Sequence, residues 1–553
     1  MTENKQIICP LCGDNVNKLL YRFHVENEKV VLQKIKTNNP EWTEHDGICS
    51  RCVDYYHTQL VMEQNILPGI GPHFSIKSPD DFFILPTPLR LNSDPRYTGK
   101  GVTICFIDSG FYLHDDLIKT SNRIKTVVDI TSTKRTKDFF EQTHPSAWHG
   151  TMTTVVCAGD GYSSKGLYRG IAPEAELVLL KVQNDACRIT TENICKALQW
   201  VLTNHKKYNI QIINMSLGDD EAISYKNSAI DELAEKLIAE GIIIVAAVGN
   251  DDMASIKPPA NSPHVIAIGG IDDNNELAPD NVHAYHSSYG NTVDGLMKPE
   301  LVANAIWIAA PILPGTKEKE EAEALQQLTQ MGDGALQKDN INLFIKTGIN
   351  QDLIKTNDVT FLRQQIINRI QATKFFSSSY MHVDGTSFAS PIVCGVIAQL
   401  LQANRLLTPH QIRQVLFRTA KRLPGIPVEK QGFGYIQAKK ALMKILKKEV
   451  IMKPYESPHI NPKRKTIEFF IQNECAAQIS LAGTFNHWAQ DVLLMEPGED
   501  GMWKIEIPLL PEGKYKYKFF IDDKMWVEDV DNPLREPDGF NGWNSILAVQ
   551  EKI

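Results

Sequence analysis

The sequence predicts a multidomain chain. A large α/β domain lies in the middle, a β-sandwich follows it, and a small cysteine-bearing module precedes it. Three observations carry this reading. Central apolar runs end abruptly in short Gly-, Ser- and Asp-containing turns, as where buried strands or helices meet loops. After Lys448 the pattern changes to short alternating segments separated by turns such as EPGEDG and PEGK. Near the start, two C-x-x-C pairs stand 36 residues apart.

The amino-terminal module, residues 1–60, contains Cys9, Cys12, Cys49 and Cys52 in CPLC and CSRC. Each pair offers two sulfurs from one tight turn, the spacing of a closed four-thiolate structural Zn²⁺ site. Such a site supplies folding energy rather than hydrolysis. Residues 61–85 are rich in Pro and Gly without sustained periodicity, and read as a connector.

The central domain, residues 86–448, is organised around three segments. Asp108 follows the apolar run Val102 to Ile107, a buried strand. His149 opens the run Met152 to Ala158, and Ser387 opens Phe388 to Leu401; both runs read as interior helices. An Asp, a His and a Ser are the parts of a nucleophilic triad. A serine hydroxyl needs an imidazole to take its proton, and the imidazole needs a carboxylate to fix its tautomer and stabilise its charge. Each residue alone has a bland reading as a turn or cap; together they point to acyl transfer.

The motifs DSG, HGT and GTSFASP resemble the three signatures of the subtilase family, in that family's order of Asp, His, Ser. Met152 stands where the usual second His would be, and Phe388 where Met is usual. GIAPEAELVLLKV (170–182), INMSLG (213–218), VAAVGN (245–250) and HVIAIGG (264–270) also match in order, so the resemblance covers roughly residues 85 to 445. It implies a three-layer α/β fold with a parallel sheet and a serine endopeptidase. Ser387 is then the nucleophile, His149 the general base and acid, and Asp108 its orienting carboxylate. Asn250 matches the oxyanion-hole amide. Ser216, Leu217 and Gly218 match the strand that pairs with an extended peptide, recognition by strand addition. The resemblance also raises Ca²⁺. Asp116 and the loop near Asp160 fall at its positions, but neither gives a clear ligand set, and each reads as a solvated surface carboxylate.

Between Lys298 and Gly385 the chain is longer than the family pattern. Residues 316–375 read as a helical insertion. KEKEEAEALQQLTQ (317–330) forms one helix, and Phe361, Leu362, Ile366, Ile367 and Ile370 give an apolar stripe on a second. It is either a packed surface appendage, or a lid or docking element for a protein partner, since it joins the chain just before Ser387.

Residues 449–463, with three prolines and many charges, read as a linker. Residues 464–553 read as a β-sandwich of immunoglobulin-like, early-set type. FNHW, KYKYKFF, KMWVED and FNGWNSI resemble the glycogen-binding domain of AMP-activated protein kinase beta subunits. The resemblance makes Trp488 and Trp526 sugar-stacking residues and Lys518 and Asn544 partners of sugar hydroxyls, with Phe540 nearby.

Composition restricts the remaining classes. With 58 basic and 66 acidic side chains the formal net charge is −8, which gives no basic field for nucleic acid. MTENKQIICPLCGD lacks the basic start and apolar core of a signal peptide. Apolar stretches such as Gly241 to Gly249 are too short to span a bilayer. The expectation is a cytoplasmic protein without membrane or nucleic-acid partners, acting on a protein or peptide and targeted by its carboxy-terminal module either to glycogen or a related α-glucan or to a protein partner. The other six cysteines are scattered, and Cys105, Cys157 and Cys394 read as small buried thiols. A second class remains open: an inactive or self-processing binding scaffold whose terminal modules carry the function.

Overall fold

The structure, a computed structural model, describes residues 84–447 and 457–549 apart from 133–136, 253, 278–281, 337–340, 351–357, 474 and 499–500, together with 7–8, 10, 15–16, 29–43 and 46 near the start. Cys9, Cys12, Cys49 and Cys52, and residues 61–83 of the connector, lie outside the described residues.

The chain forms two compact units. The larger holds residues 84–93, 98–316 and 379–553, and thus both the central domain and the sandwich; the other holds 1–83, 94–97 and 317–378. The larger unit is built on strands β1 (Thr103–Asp108), β2 (Ile124–Asp129), β3 (Glu176–Lys181), β4 (Ile210–Met215), β5 (Ile243–Ala247), β6 (Ile266–Asp272) and β7 (Leu301–Asn304). They pair in parallel in the order β7-β6-β5-β4-β1-β3-β2, and the short strand His283–Ala284 joins β6 antiparallel. β1 and β3 through β7 are buried almost along their length, so they read as continuous apolar runs rather than alternating ones.

Helices cover the sheet. α1 (Ala147–Ala158) carries His149 near its start. α2 (Thr191–Tyr208) and α3 (Ala229–Ala239) are capped by Thr190 and Ser228, whose hydroxyls accept from Asn193 N and Asp231 N. Their inner faces pack Ile194, Ala197, Leu198, Val201, Ala234 and Leu237 against β1, β3, β4 and β5.

The insertion leaves the chain after β8 (Ile308–Pro311) and returns at β9 (Tyr380–Val383), an antiparallel pair. Within its own unit, α4 (Lys317–Gln330) and α5 (Val359–Thr373) form where the sequence pattern places them. Leu325, Leu328, Leu362, Ile366 and Ile370 are buried, whereas Phe361 is exposed and Ile367 only partly covered. Ion pairs Arg369–Glu321 and Arg363–Asp333 tie these helices and the turn between them.

α6 (Thr386–Ala403) is buried from Phe388 to Leu401, and α7 (Pro409–Thr419) starts in a Thr408–Gln411 capping box; α8 (Ala438–Leu446) follows. By length and composition α6 meets the criteria of a membrane span, contrary to the expectation of only short apolar stretches; its burial inside the protein makes it a core helix.

The sandwich consists of β10 (Thr466–Gln472), β11 (Ile479–Gly483), β12 (Met502–Pro508), β13 (Gly513–Ile521), β14 (Met525–Val527), β15 (Arg535–Pro537) and β16 (Trp543–Val549). One sheet contains β10 and β12; the other runs β11-β13-β16-β15, with β14 on β13. Ile467, Phe469, Ile479, Leu481, Trp503, Tyr517, Phe519 and Leu547 meet between them. An edge strand, His459–Asn461, pairs with β10 inside the segment expected to be linker; its prolines and charges hid it, and edge strands tolerate both.

Candidate active site

Adjacent parallel strands bring the site residues together at their carboxyl ends, where open α/β sheets place ligands. Asp108 ends β1, Ser216 follows β4, and Asn250 lies three residues beyond β5, in the neighbouring order β5-β4-β1.

The acid–base pair is formed. His149 Nδ1 lies 2.7 Å from Asp108 Oδ1. Asp108 is buried and also accepts from Ser109 N at 2.6 Å and from Thr153 Oγ1 at 3.2 Å. Thr153 sits one turn after His149 on α1, which is why it reaches the same carboxylate. Gly150 lets α1 approach this closely: a Cβ there would lie 2.3 Å from Gly110 O. Burial of His149 works against its charged form, but the Asp108 charge and hydrogen bond outweigh it and hold the imidazole above its ordinary pKa.

The serine turn is fixed from two sides. Ser387 is the second residue of α6, behind Gly385 at the N-cap. Phe388 packs 5.9 Å from the His149 ring, bringing the serine turn to the base. Pro391 lies inside the helix and has no N–H, so the Ser387 carbonyl four residues earlier lacks its helical donor. Ser216 Oγ donates to that carbonyl at 2.7 Å. Asn214 Nδ2 in turn donates to Ser216 Oγ at 3.0 Å, and Ser390 Oγ donates to Asn214 Oδ1 at 2.8 Å.

Asn250 is oriented by the same turn. Its Oδ1 accepts from Thr386 N at 2.8 Å and Thr386 Oγ1 at 2.9 Å. With the oxygen engaged, the amide presents its donor end, Nδ2, to a ligand.

Ser216–Gly218 follow β4 outside any regular strand, with Leu217 partly exposed and Gly218 exposed. Their backbone can add a peptide strand, while the Ser216 side chain is committed to Ser387. Trp148, 51% exposed with its ring 5.2 Å from the His149 ring, stands beside the base. Trp148, Thr153, Asn214, Thr386 and Ser390 were not singled out from sequence. The Ser-Pro spacing of Ser387 and Pro391 was the available signal for a second donor.

On the sandwich, Lys518, Phe520, Trp526 and Asn544 share the outer face of one sheet, and Trp488 joins them from the turn after β11. Trp488 and Trp526 meet edge to face, centroids 5.9 Å apart and planes at 77°. Phe520 backs Trp526 at 4.6 Å. Lys518 is 9% exposed and pairs with Asp538, so its ammonium is already engaged. Asp538 Oδ1 also accepts from the N–H groups of Phe540 and Gly542, shaping a loop that leaves Phe540 91% exposed.

A carboxylate, an imidazole and a serine turn come together from separate strand ends and helix starts, with a pinned amide nearby, on an open parallel sheet, as expected of a serine protease. The model described as "Subtilase family" matches residues 99–435, and the chain belongs to that family. A second model, the glycogen recognition site of AMP-activated protein kinase, matches residues 468–553. Serine protease AprX of Bacillus subtilis (strain 168) is 30% identical over 332 residues, 58% of this chain and 61% of AprX. Subtilisin BL of Lederbergia lenta is 25% identical over 344 residues, 62% of this chain and 91% of that protein. Among solved structures, sphericase aligns with a TM-score of 0.44 at 20% identity, covering 65% of this chain and 99% of that one. The matched region spans 61% of AprX and 45% of a cuticle-degrading serine protease of Arthrobotrys oligospora, less than two thirds of either.

Calcium is common among subtilases, and the residues at the expected position do not fit it. Asp116 is fully buried rather than a solvated surface carboxylate, and protein donors fill it: Ser163 N on Oδ1 at 2.9 Å and Tyr380 Oη on Oδ2 at 2.5 Å. Arg123 Nη2 takes the Asp116 carbonyl at 2.9 Å. Asp160 is half-buried rather than solvated: its Oδ1 accepts from Tyr162 N in its own turn, and its Oδ2 is buried without a hydrogen-bond partner among the described residues. Among the described residues no group of three or more His, Cys, Asp or Glu side chains is placed to hold a metal.

Proposed function

We propose that this chain is a serine endopeptidase that hydrolyses peptide bonds through Ser387, His149 and Asp108. The 2.7 Å contact between His149 and Asp108, formed beside the Ser387 turn, is the observation that carries the reading. With Nδ1 donating to Asp108, Nε2 is free to accept the Ser387 proton as the hydroxyl attacks the scissile carbonyl. The developing oxyanion takes hydrogen bonds from Asn250 Nδ2 and Ser387 N–H, at the start of a helix whose dipole favours negative charge. His149 then protonates the leaving amine, and a water activated by the same imidazole releases the acyl group. An extended substrate lies along Ser216–Gly218. Incubation of the protein with casein, beside Ser387→Ala, tests this by mass spectrometry. Fragments from the first and none from the second are expected; equal fragmentation, or none with intact fold, contradicts it.

The sandwich is read as an α-glucan module that places the protease on glycogen. Coplanar aromatic rings suit a flat polysaccharide; two rings at 77° suit a chain that curves, as α-linked glucose does. Trp488, Trp526 and Asn544 make the contacts, and Lys518 acts from within its pair with Asp538. Co-sedimentation of the intact protein with glycogen but not with cellulose, lost in Trp526→Ala, is the expected result; equal recovery with both polymers contradicts it. Cys9, Cys12, Cys49 and Cys52 are assigned to one structural Zn²⁺, to be measured as one equivalent of metal per chain. A cytoplasmic setting, where thiols are kept reduced and available to a metal, goes with that assignment.

A further inference from the structure

The sandwich meets the catalytic domain through side chains of an interior kind. Arg535 of β15 is 6% exposed. Its Nη2 donates to the carbonyls of Met297 at 3.1 Å and Pro299 at 3.4 Å, and its guanidinium lies 4.4 Å from the Phe433 ring centroid and 5.1 Å from that of Trp543. Trp543 of β16 has no exposure and donates Nε1 to Gly432 O at 3.0 Å. Polar pairs surround this centre. Arg422 meets Glu528 at 2.6 Å, Gln414 Nε2 spans both oxygens of Asp531 at 2.8 and 3.0 Å, and Arg418 Nη1 donates to Gln472 O at 3.1 Å. Arg535 and Trp543 are thus buried at the centre of the interface, within a rim of polar pairs.

The carbonyls that Arg535 and Trp543 hold lie on a path to the nucleophile. Met297 and Pro299 lead into β7. The segment after Gly432 pairs with the same stretch: Phe433 N donates to Glu300 O at 2.7 Å, Val302 N to Gly434 O at 3.0 Å and Ile436 N to Val302 O at 3.0 Å. Gly432, at φ 61°, must be glycine, since a Cβ would lie 2.2 Å from Glu300 O. One residue beyond β7, Ala305 O accepts from Gly385 N at 2.8 Å, and Gly385 caps the helix whose second residue is Ser387.

We propose that the sandwich is a permanent brace of the catalytic domain, and that Arg535 and Trp543 are positioning residues for Ser387, acting through residues 297–305. The proposal rests on the triad reading above. Its test uses full-length Trp543→Phe, which keeps the ring and removes the N–H, and Arg535→Met, which keeps the stem and removes the donors. Lys504→Met, on the opposite sheet, is the control. Both interface variants should melt as folded proteins, lose about 5- to 10-fold in kcat, the range a lost or loosened hydrogen bond gives, and keep KM. Fluorophosphonate labelling of Ser387 should slow in the same ratio, Arg535→Lys should recover part of the rate, and the control should match wild type. Wild-type kcat and labelling in both variants, with or without a lower melting temperature, overturn the proposal. Should neither variant fold, a specific protease site placed within residues 449–456 of Ser387→Ala decides: after cutting, the two pieces co-elute if the brace is permanent, and their separation overturns it. A wild-type protein that fluorophosphonate does not label would defeat the triad reading instead, and co-elution would still report on the brace.

Discussion

Replacing Ser216 with Ala removes a hydroxyl that contacts no substrate in the proposed mechanism, yet the first turn of α6 depends on it. Pro391 leaves the Ser387 carbonyl without a helical donor, and Ser216 Oγ supplies one at 2.7 Å. Ser216→Ala also strips Asn214 Nδ2 of its 3.0 Å acceptor. Leaving one buried polar group unpaired costs about 1–3 kcal/mol, so two together cost about 2–4 kcal/mol locally after partial relaxation. Pro391→Ala restores an N–H at the position that reaches Ser387 O. The double variant should therefore recover about 1–2 kcal/mol, leaving the Asn214 loss. Hydrogen exchange of the amides around Ser387, followed by mass spectrometry in a Ser387→Ala background, reads the local opening free energy directly. Additive effects in the double variant, or unchanged exchange in Ser216→Ala, would refute the reasoning.

Three further outcomes follow from the same geometry. The rate should rise with pH as His149 loses its proton, with a midpoint above the ordinary imidazole value of about 6.5, because Asp108 holds that proton; in Asp108→Asn the midpoint should move down and kcat should fall by about 10⁴, checked by pH–rate profiles. Asn250→Ala should lower kcat by about 10²–10³ with little change in KM, a magnitude that comes from subtilisin itself, a member of the same family; an equal change in KM would argue against an oxyanion donor. Burial, and then the neighbouring Asp531, push the Asp529 carboxyl up to about 7. A raised carboxyl contributes fully below its unfolded value of about 3.9 and loses that contribution as pH climbs through the folded value. Asp529→Asn should then raise the melting temperature more at about pH 8.5 than at about pH 5, by differential scanning fluorimetry.

What the sequence revealed, and what it hid, divides by the range of the interactions. Asp108, His149 and Ser387 each stand at a junction that local chemistry marks: an apolar run, then a turn or helix start. The burial of Cys105, Cys157 and Cys394 also follows from their apolar neighbours. The insertion helices were legible from their own periodicity. Partners distant in the chain were not. Pro391 announces a missing donor, but nothing local says that Ser216, 171 residues earlier, supplies it. Asp116 reads as exposed because its neighbours are polar; Tyr380, 264 residues on, is what buries and satisfies it. Lys518 matches a sugar contact in sequence, while Asp538, in the loop after β15, has already claimed its charge. Trp543 sits in an aromatic-rich segment shared with the proposed glucan face, yet strand alternation turns it the other way, into the catalytic domain, and leaves Asn544 outward.

The most direct measurement is the labelling of the intact protein with a fluorophosphonate, which reacts with a serine only when a base and an oxyanion site are assembled around it. The account predicts one equivalent on Ser387, mapped by peptide mass, absent in Ser387→Ala and strongly slowed in His149→Ala. Absence of label on a folded wild-type protein, or label elsewhere, would contradict it.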